Sequence, residues 1–310
     1  LGSTVAAIPE VVAVPVRADV FDLVLRWQRT LHVSGRCNAN TLRQYRRTLF
    51  RFLADVLADP DWLGERDPLA LTEDDMVAYL DEIDPKGGRR AATIRALRSW
   101  YGWLAEREDA AGLPLVMRNP MRHIRPKDRK YGPAPSLSRT ELDRALVAAE
   151  RVDPRARWAI QLQYATACRA GSLVALVASD IEHTDTGPVI HFRVAKNDDP
   201  YVVPLGTKAW EAAEGLLALR DYCPSRGKRR DTLIGVGYSQ YESWIKRTED
   251  IAEIPLRSHL LRHTAITRLS ENPEVDVRTI MALANWKDPR LLDRYAAKSD
   301  PNMRKASEVY

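Results

Sequence analysis

Asn40-Thr-Leu-Arg-Gln-Tyr-Arg-Arg-Thr-Leu-Phe-Arg-Phe-Leu-Ala-Asp-Val56 carries two superposed periods. Leu42, Tyr45, Leu49, Phe52, Leu53 and Val56 recur at three- and four-residue steps, which predicts the apolar face of an α-helix opening after a cap at Asn40. Arg43, Arg47 and Arg51 recur every four residues and share a second face. Such a helix buries its hydrocarbon against neighbours and presents a row of guanidinium groups outward.

The flanking sequence supplies those neighbours. Asp19 to Leu31 places Val20, Leu23, Val24, Trp27 and Leu31 at helical spacing. Thr72, with Asp75 three residues on, opens a helix running to about Ile83. Ala91 to Glu108 sets Ile94, Leu97, Tyr101 and Leu104 inward and Arg95 and Arg98 among the polar positions. The fold class expected is mainly α. An N-terminal four-helix domain over residues 17–111 follows a tail at 1–16.

Charge is distributed in blocks. Lys and Arg total 47 against 42 Asp and Glu in 310 residues, a net charge of only +5. Arg36, Arg43, Arg46, Arg47 and Arg51 occur without an acid between them, and Lys86, Arg89, Arg90, Arg95 and Arg98 repeat the pattern. Nine acids between Asp61 and Asp84 separate the two clusters. Arg118, Arg122, Arg125, Lys127, Arg129 and Lys130 form a third basic cluster, opposed by Asp128 alone. Three basic blocks on a globular chain point to a polyphosphate partner rather than to ordinary solvated faces. The residues expected to meet nucleic acid are therefore Arg43, Arg47, Arg51, Lys86, Arg89, Arg90, Arg95, Arg98, Arg122, Arg125, Lys127, Arg129 and Lys130.

Composition excludes other classes. At 45% hydrophobic and 29% charged, the chain buries a core and is not disordered throughout. No apolar run reaches the ~18 residues of a membrane span. Cys37, Cys168 and Cys223 lie far apart, which disfavours a disulfide framework or a thiolate metal site. A cytoplasmic location is expected.

Pro114, Pro120, Pro126, Pro133 and Pro135 preclude a continuous helix and predict a basic linker over residues 112–133, extended along a phosphate backbone. Ser138 and Glu141 form a capping box that opens a second domain, residues 134–310. There Arg155 to Val177 reads as mostly helical, and Val189 to Val194 alternates as a strand. Asn197 to Pro200 supplies a turn and Tyr201 to Leu205 a return strand, so a small β-hairpin sits in a mostly helical domain.

In Ser258-His-Leu-Leu-Arg-His263, the residues His259, Arg262 and His263 project to one helix face. A histidine pair at i, i+4 is a metal-binding spacing, but the glutamate of an HExxH motif and any obvious third ligand are missing, so no metal is expected. An arginine on an otherwise apolar helix needs an anion, because guanidinium keeps its charge.

These boxes resemble the tyrosine recombinase, or phage integrase, family over about residues 18–300. Arg169 in Thr166-Ala-Cys-Arg169-Ala-Gly-Ser-Leu matches the family's first arginine, and Lys196 falls at the hairpin tip like the family's lysine. Ser258 to Thr264 matches the HxxRHT box through His259 and Arg262, Trp286 takes the place usually held by histidine, and Tyr295 follows at the nucleophile's spacing. Ser172 departs from the family's usual acid, and Ala167 replaces a usual glycine, a change expected to be harmless on a helix. The indole N–H of Trp286 donates a hydrogen bond but exchanges no proton.

The resemblance implies a site-specific DNA recombinase acting on double-stranded recombination sites. It implies a covalent 3′-phosphotyrosine intermediate, no metal, ATP or other cofactor, and four protomers in the synapse. The segment Ala296–Tyr310 is the candidate for docking on a neighbour, and an accessory DNA-bending or directionality protein is a further partner. DNA is expected to be clamped between the two domains. Integration, excision and resolution all suit this chemistry. A type IB topoisomerase shares it, but the N-terminal domain and chain length argue against that reading. A non-catalytic DNA-binding regulator on the same fold is opposed by the complete set Arg169, Lys196, His259, Arg262, Trp286 and Tyr295.

Physical logic stands beside the resemblance. Attack on a phosphodiester builds a pentacoordinate species with added negative charge, which preorganised donors stabilise by roughly 2.7–4 kcal/mol each. Arg169 and Arg262 suit that role as bidentate clamps. Ionising a tyrosine of pKa ~10 at pH 7 costs about 4 kcal/mol. His259 is the expected base that lowers this cost, and Lys196 the acid that protonates the departing 5′ oxygen.

Overall fold

The computed structural model describes residues 18–35, 37–58, 67–83, 89–109, 111–126, 134–193, 200–220 and 231–295. It is mainly helical, and the chain divides into two units, Leu1–Arg129 and Lys130–Tyr310.

In the first unit four helices are formed among the described residues: α1 (Ala18–Val33), α2 (Ala39–Ala58), α3 (Glu73–Ile83) and α4 (Arg90–Leu104). The apolar periodicity becomes the core. Val24, Trp27, Leu49, Phe52, Leu53, Leu80, Leu97, Trp100 and Tyr101 are all enclosed. Edge-to-face contacts of Phe52 with Tyr79, Trp100 and Tyr101 tie α2 to α3 and α4. The cap of α2 is Asn38 rather than Asn40, since its Oδ1 accepts the N–H of Thr41 at 2.9 Å. Thr72 and Asp75 close the expected reciprocal cap, Asp75 accepting the Thr72 N–H at 2.8 Å.

Two boundaries differ from the sequence expectation. Helix α4 ends at Leu104, short of Glu108, because the chain turns back on itself: Glu108 bridges Pro114, and the Asp109 carboxylate accepts the N–H groups of Ala111 and Leu113. The stretch expected as an extended linker is, as far as Pro126, built into the first unit. Val116 and Met121 enter the helical core, and Nη1 of Arg98 donates to the carbonyls of Met121, Arg122 and Ile124 at 2.9, 3.2 and 2.9 Å. Prolines bar a helix there but do not bar burial.

The second unit opens with α5 (Arg139–Val152), carrying the Ser138–Glu141 capping box, and α6 (Pro154–Thr166). The central α6 is enclosed on most sides, with Ala156, Ala159, Ile160 and Leu162 buried. The continuous helix expected from Arg155 to Val177 breaks at Ala167, whose φ of 51° is left-handed, and resumes as the single turn α7 (Ala170–Leu173). The expected hairpin is a three-stranded antiparallel sheet. An additional strand β1 (Ile181–Thr184) precedes β2 (Gly187–Phe192) and β3 (Tyr201–Pro204), with Ile190 opposite both Ile181 and Val203. Too short to show alternation, β1 escapes sequence reading. Helices α8 (Thr207–Arg220), α9 (Tyr238–Ala252), α10 (Ser258–Glu271) and α11 (Val277–Ala284) complete the unit, followed by a 3₁₀ turn, Pro289–Arg294. No helix among the described residues is long and apolar enough to cross a membrane.

Candidate active site

Helix α10 carries the site, and its placement starts with polar ties to the domain entrance. Thr264 accepts the Leu137 N–H at 2.9 Å, while Arg268 donates to the Tyr164 hydroxyl and the Leu137 carbonyl at 2.6 and 3.1 Å. With that helix fixed, Arg262 points inward and is only 2% exposed. Its Nη1 donates to the carbonyl of Ala167 at 2.6 Å and its Nη2 to that of Ala284 at 2.5 Å. One guanidinium thus buckles together the two chain reversals that present the remaining site residues.

The first reversal is the left-handed Ala167. Two residues later comes Arg169, half-buried at the start of α7. The loop is held from below by Gln163, which accepts the Tyr241 hydroxyl at 2.6 Å and donates to the Cys168 carbonyl at 3.4 Å. The second reversal follows α11, capped by Asp276 and closed by left-handed Asn285, a residue type that tolerates this conformation. It delivers Trp286, whose ring lies 5.5 Å from the guanidinium carbon of Arg262. The 3₁₀ turn then brings in Tyr295, its N–H donating to Leu292 at 2.7 Å.

The phenol ring of Tyr295 is 6% exposed and packs in a small apolar cluster with Ala167, Ala265, Ile266, Ile280 and Ala284, 5.5 Å from Trp286. Arg169, Arg262, Trp286 and Tyr295, spread over 127 residues of sequence, therefore meet in one region. The expected partner of the hydroxyl differs. Nδ1 of His263 lies against Tyr295 Oη, and the two rings are 5.4 Å apart. His259 is exposed and meets the edge of the His263 ring at 4.4 Å and 79°. The i, i+4 spacing that suggested a metal pair instead stacks one histidine on the other. Among the described residues no three His, Cys, Asp or Glu side chains come together to hold a metal.

The electrostatics are those of an anion site. Burial, and then the neighbouring charge of Arg169, pull the guanidinium of Arg262 down to about 10. Among the described residues neither arginine is paired with a carboxylate. Burial pushes the Cys168 thiol up to about 11 against the opposing pull of both arginines, so it stays protonated at neutral pH. Tyr201, on β3, is raised chiefly by burial and also feels both guanidinium groups. Ser172, where the resemblance leads one to expect an acid, is buried on α7, and its N–H donates to the Arg169 carbonyl at 2.9 Å.

The basic residues of the first unit differ in exposure and in partners, and exposed Arg43 also donates to the Asn40 side chain at 2.6 Å. Arg43, Arg47, Arg51, Arg89, Arg95, Arg122 and Arg125 are exposed. Arg90 is ion-paired with Asp81, and Arg98 holds the three carbonyls described above. Lys86, Lys127, Arg129, Lys130, Lys196 and the segment 296–310 lie outside the described residues.

Comparisons with known proteins converge on one group. The model of the phage integrase family matches residues 135–301. A tyrosine recombinase XerD of Listeria monocytogenes is 27% identical over 285 residues, covering 86% of this chain and 91% of that protein. A tyrosine recombinase XerC of Staphylococcus aureus is 26% identical over 292 residues, covering 89% and 92%. In fold, the chain is similar to the XerH site-specific recombinase bound to its difH substrate (TM-score 0.67, 14% identity, 97% of this chain and 91% of that one). It is also similar to a lambda integrase dimer bound to a COC′ core site (TM-score 0.68, 17% identity, 90% and 96%).

Proposed function

This chain belongs to the phage integrase family and is a site-specific DNA strand-transferase; we propose that it works through a covalent 3′-phosphotyrosine link formed by Tyr295. The observation that carries this reading is the pair of guanidinium groups, one of them buried, set beside a shielded phenol, with no carboxylate paired to them among the described residues. Arg169 and Arg262 clamp the nonbridging oxygens of the scissile phosphate. Arg262 uses two of its five N–H donors on backbone carbonyls, which fixes its plane before DNA arrives.

The steps balance without an external energy source. The Tyr295 oxygen bonds phosphorus, the bond to the 5′ oxygen breaks, and Lys196 protonates that leaving oxygen. A 5′ hydroxyl from the partner strand then attacks the phosphotyrosine and frees the phenol. The bond energy stays in the link, so neither ATP nor a metal is required. Trp286 walls the site and contributes its indole N–H. His259, exposed beside the edge of the His263 ring, donates to the phosphate when DNA is bound.

The partners follow from this chemistry and from the family resemblance. Two double-stranded recombination sites are bound by four protomers, with segment 296–310 docking on a neighbour. Exposed Arg43, Arg47, Arg51, Arg89, Arg95, Arg122 and Arg125, together with Lys86, Lys127, Arg129 and Lys130, supply phosphate contacts. These position DNA without reading its bases. The physiological outcome is integration with excision, or resolution, in the cytoplasm.

The test begins by selecting a binding site from a randomised duplex pool. A nicked suicide duplex carrying that site is then incubated with the protein in EDTA and without nucleotide. A covalent protein–DNA adduct is expected, and an adduct that appears only with metal or ATP would refute the mechanism.

A further inference from the structure

The hydroxyl that attacks phosphorus has to lose its proton, and the group in contact with it is the second histidine of the HxxRH box, His263, where sequence reading expected the first, His259. We propose that His263 takes the proton of Tyr295 through Nδ1 as the oxygen bonds phosphorus, and returns it when the strand is rejoined. The proposal rests on the reading of Tyr295 as the nucleophile.

Three observations carry it. First, His263 and Tyr295 are each 6% exposed, so the contact between Nδ1 and the phenol oxygen is shielded from bulk water. A hydrogen bond in such surroundings is stronger and better oriented than one in solvent. Second, both partners are held. His263 follows the doubly tied Arg262 on α10, and the His259 ring braces it edge-on at 4.4 Å. The phenol is backed by Trp286 at 5.5 Å and by the Ala167 cluster. Third, His259 is exposed and its ring lies edge-on against the buried His263, so His263 is the inner of the two histidines on the phenol side of α10.

The chemistry fits a base that holds the proton briefly. With its ring proton on Nε2, His263 accepts at Nδ1 in the resting enzyme. A phenol of pKa ~10 does not ionise fully to an imidazole of ~6.5 on its own, but it becomes acidic as its oxygen bonds phosphorus, and transfer is then concerted with attack. Among the described residues, the charged and titratable groups beside the ring include His259 and the adjoining Arg262 on α10 and Tyr295 itself, with Arg169 next to Arg262. The two guanidinium groups favour a phenolate and oppose a lasting imidazolium. The proton is therefore returned readily when the Tyr295–phosphorus bond breaks. No redox partner or cofactor enters the balance.

The experiment measures single-turnover cleavage of the selected suicide duplex from pH 6.5 to 9 for wild type, His263→Gln, His263→Asn, His259→Gln and Tyr295→Phe. Glutamine and asparagine keep a hydrogen-bond acceptor but remove basicity. At pH 7 the His263 variants are expected to cleave about 10²–10⁴-fold more slowly. Their rates are expected to climb about tenfold per pH unit, as hydroxide replaces the lost base. This slope is independent of the fraction of protein folded. A duplex with sulfur at the bridging 5′ position needs no leaving-group protonation, and is expected not to restore these variants. His259→Gln is expected to retain the shape of the wild-type profile. The proposal is overturned if the His263 variants keep the wild-type rate and profile, if the sulfur-bridged duplex rescues them, or if the new slope belongs to His259→Gln. An adduct formed by Tyr295→Phe would instead overturn the nucleophile reading on which the proposal stands.

Discussion

Replacing Arg262 with methionine separates what this side chain does for folding from what it does for DNA. Two buried carbonyls, those of Ala167 and Ala284, lose their donors. An unsatisfied buried polar group costs about 1–3 kcal/mol, so the pair costs about 2–6 kcal/mol. Against this stands a guanidinium that burial and Arg169 have pulled down to about 10, which corresponds to about 3 kcal/mol of unfavourable electrostatics released on neutralisation. Methionine also fills much of the same volume. The net change runs from about neutral to about 3 kcal/mol destabilising. At about 2–4 °C per kcal/mol for a unit of this size, Tm falls by no more than about 12 °C. The loss of one transition-state clamp lowers cleavage far more, by about 10²–10³-fold. Urea melts and single-turnover cleavage on the same preparation measure both quantities. A folded Arg262→Met protein that cleaves within a few-fold of wild type would refute the argument that this arginine is there for an anion.

Other consequences are as direct. Ala167→Gly relieves about 1 kcal/mol of left-handed strain while losing about 0.8 kcal/mol of buried methyl, so its urea midpoint stays close to that of wild type. Ala167→Val puts a β-branched residue at a φ of 51° in a closed cluster, and a loss of 2 kcal/mol or more, with slower cleavage, is expected. Arg98→Ala, which releases three carbonyls, is expected to destabilise the first unit by about 1.5–3 kcal/mol in urea melts. Arg47→Ala leaves that midpoint alone but reduces the salt slope of DNA binding by about 1. For Asp153, the N-cap of α6, burial pushes the carboxyl up, but hydrogen bonds from Arg155 outweigh it and hold the carboxyl below its ordinary value. Its contribution is thus fully present above about pH 4 and is lost as pH falls through the lower folded value. Asp153→Asn is expected to flatten that part of the acid unfolding curve.

The parts legible in sequence were those whose signal is local. Helical periodicity located α1 to α4 because each buries one face, and Ser138 with Glu141 marked α5 because a capping box is a four-residue device. The boxes around Arg169, Arg262, Trp286 and Tyr295 named residues that the fold brings together. What escaped depends on contacts between distant segments. Nothing near Ala167 announces that its carbonyl serves Arg262, 95 residues later, so its left-handed backbone was read as ordinary helix. The contact between His263 and Tyr295 spans 32 residues and depends on how the α11 turn and the 3₁₀ turn aim the phenol. Sequence marked His263 as half of a metal-like pair and as a member of the HxxRHT box, without giving it a role. Arg98 looked like its exposed neighbour Arg95, yet the proline-rich segment folds back over it and takes its donors.

The claim on which the account turns is that one phenol oxygen takes the phosphorus, and it is tested most directly on the adduct itself. Protein trapped on the selected suicide duplex is digested with nuclease and protease, and the nucleotide-bearing peptide is sequenced by mass spectrometry. The account predicts a nucleotide attached through its 3′ phosphate to Tyr295. A nucleotide on any other tyrosine, on a serine, or joined through a 5′ phosphate would contradict it.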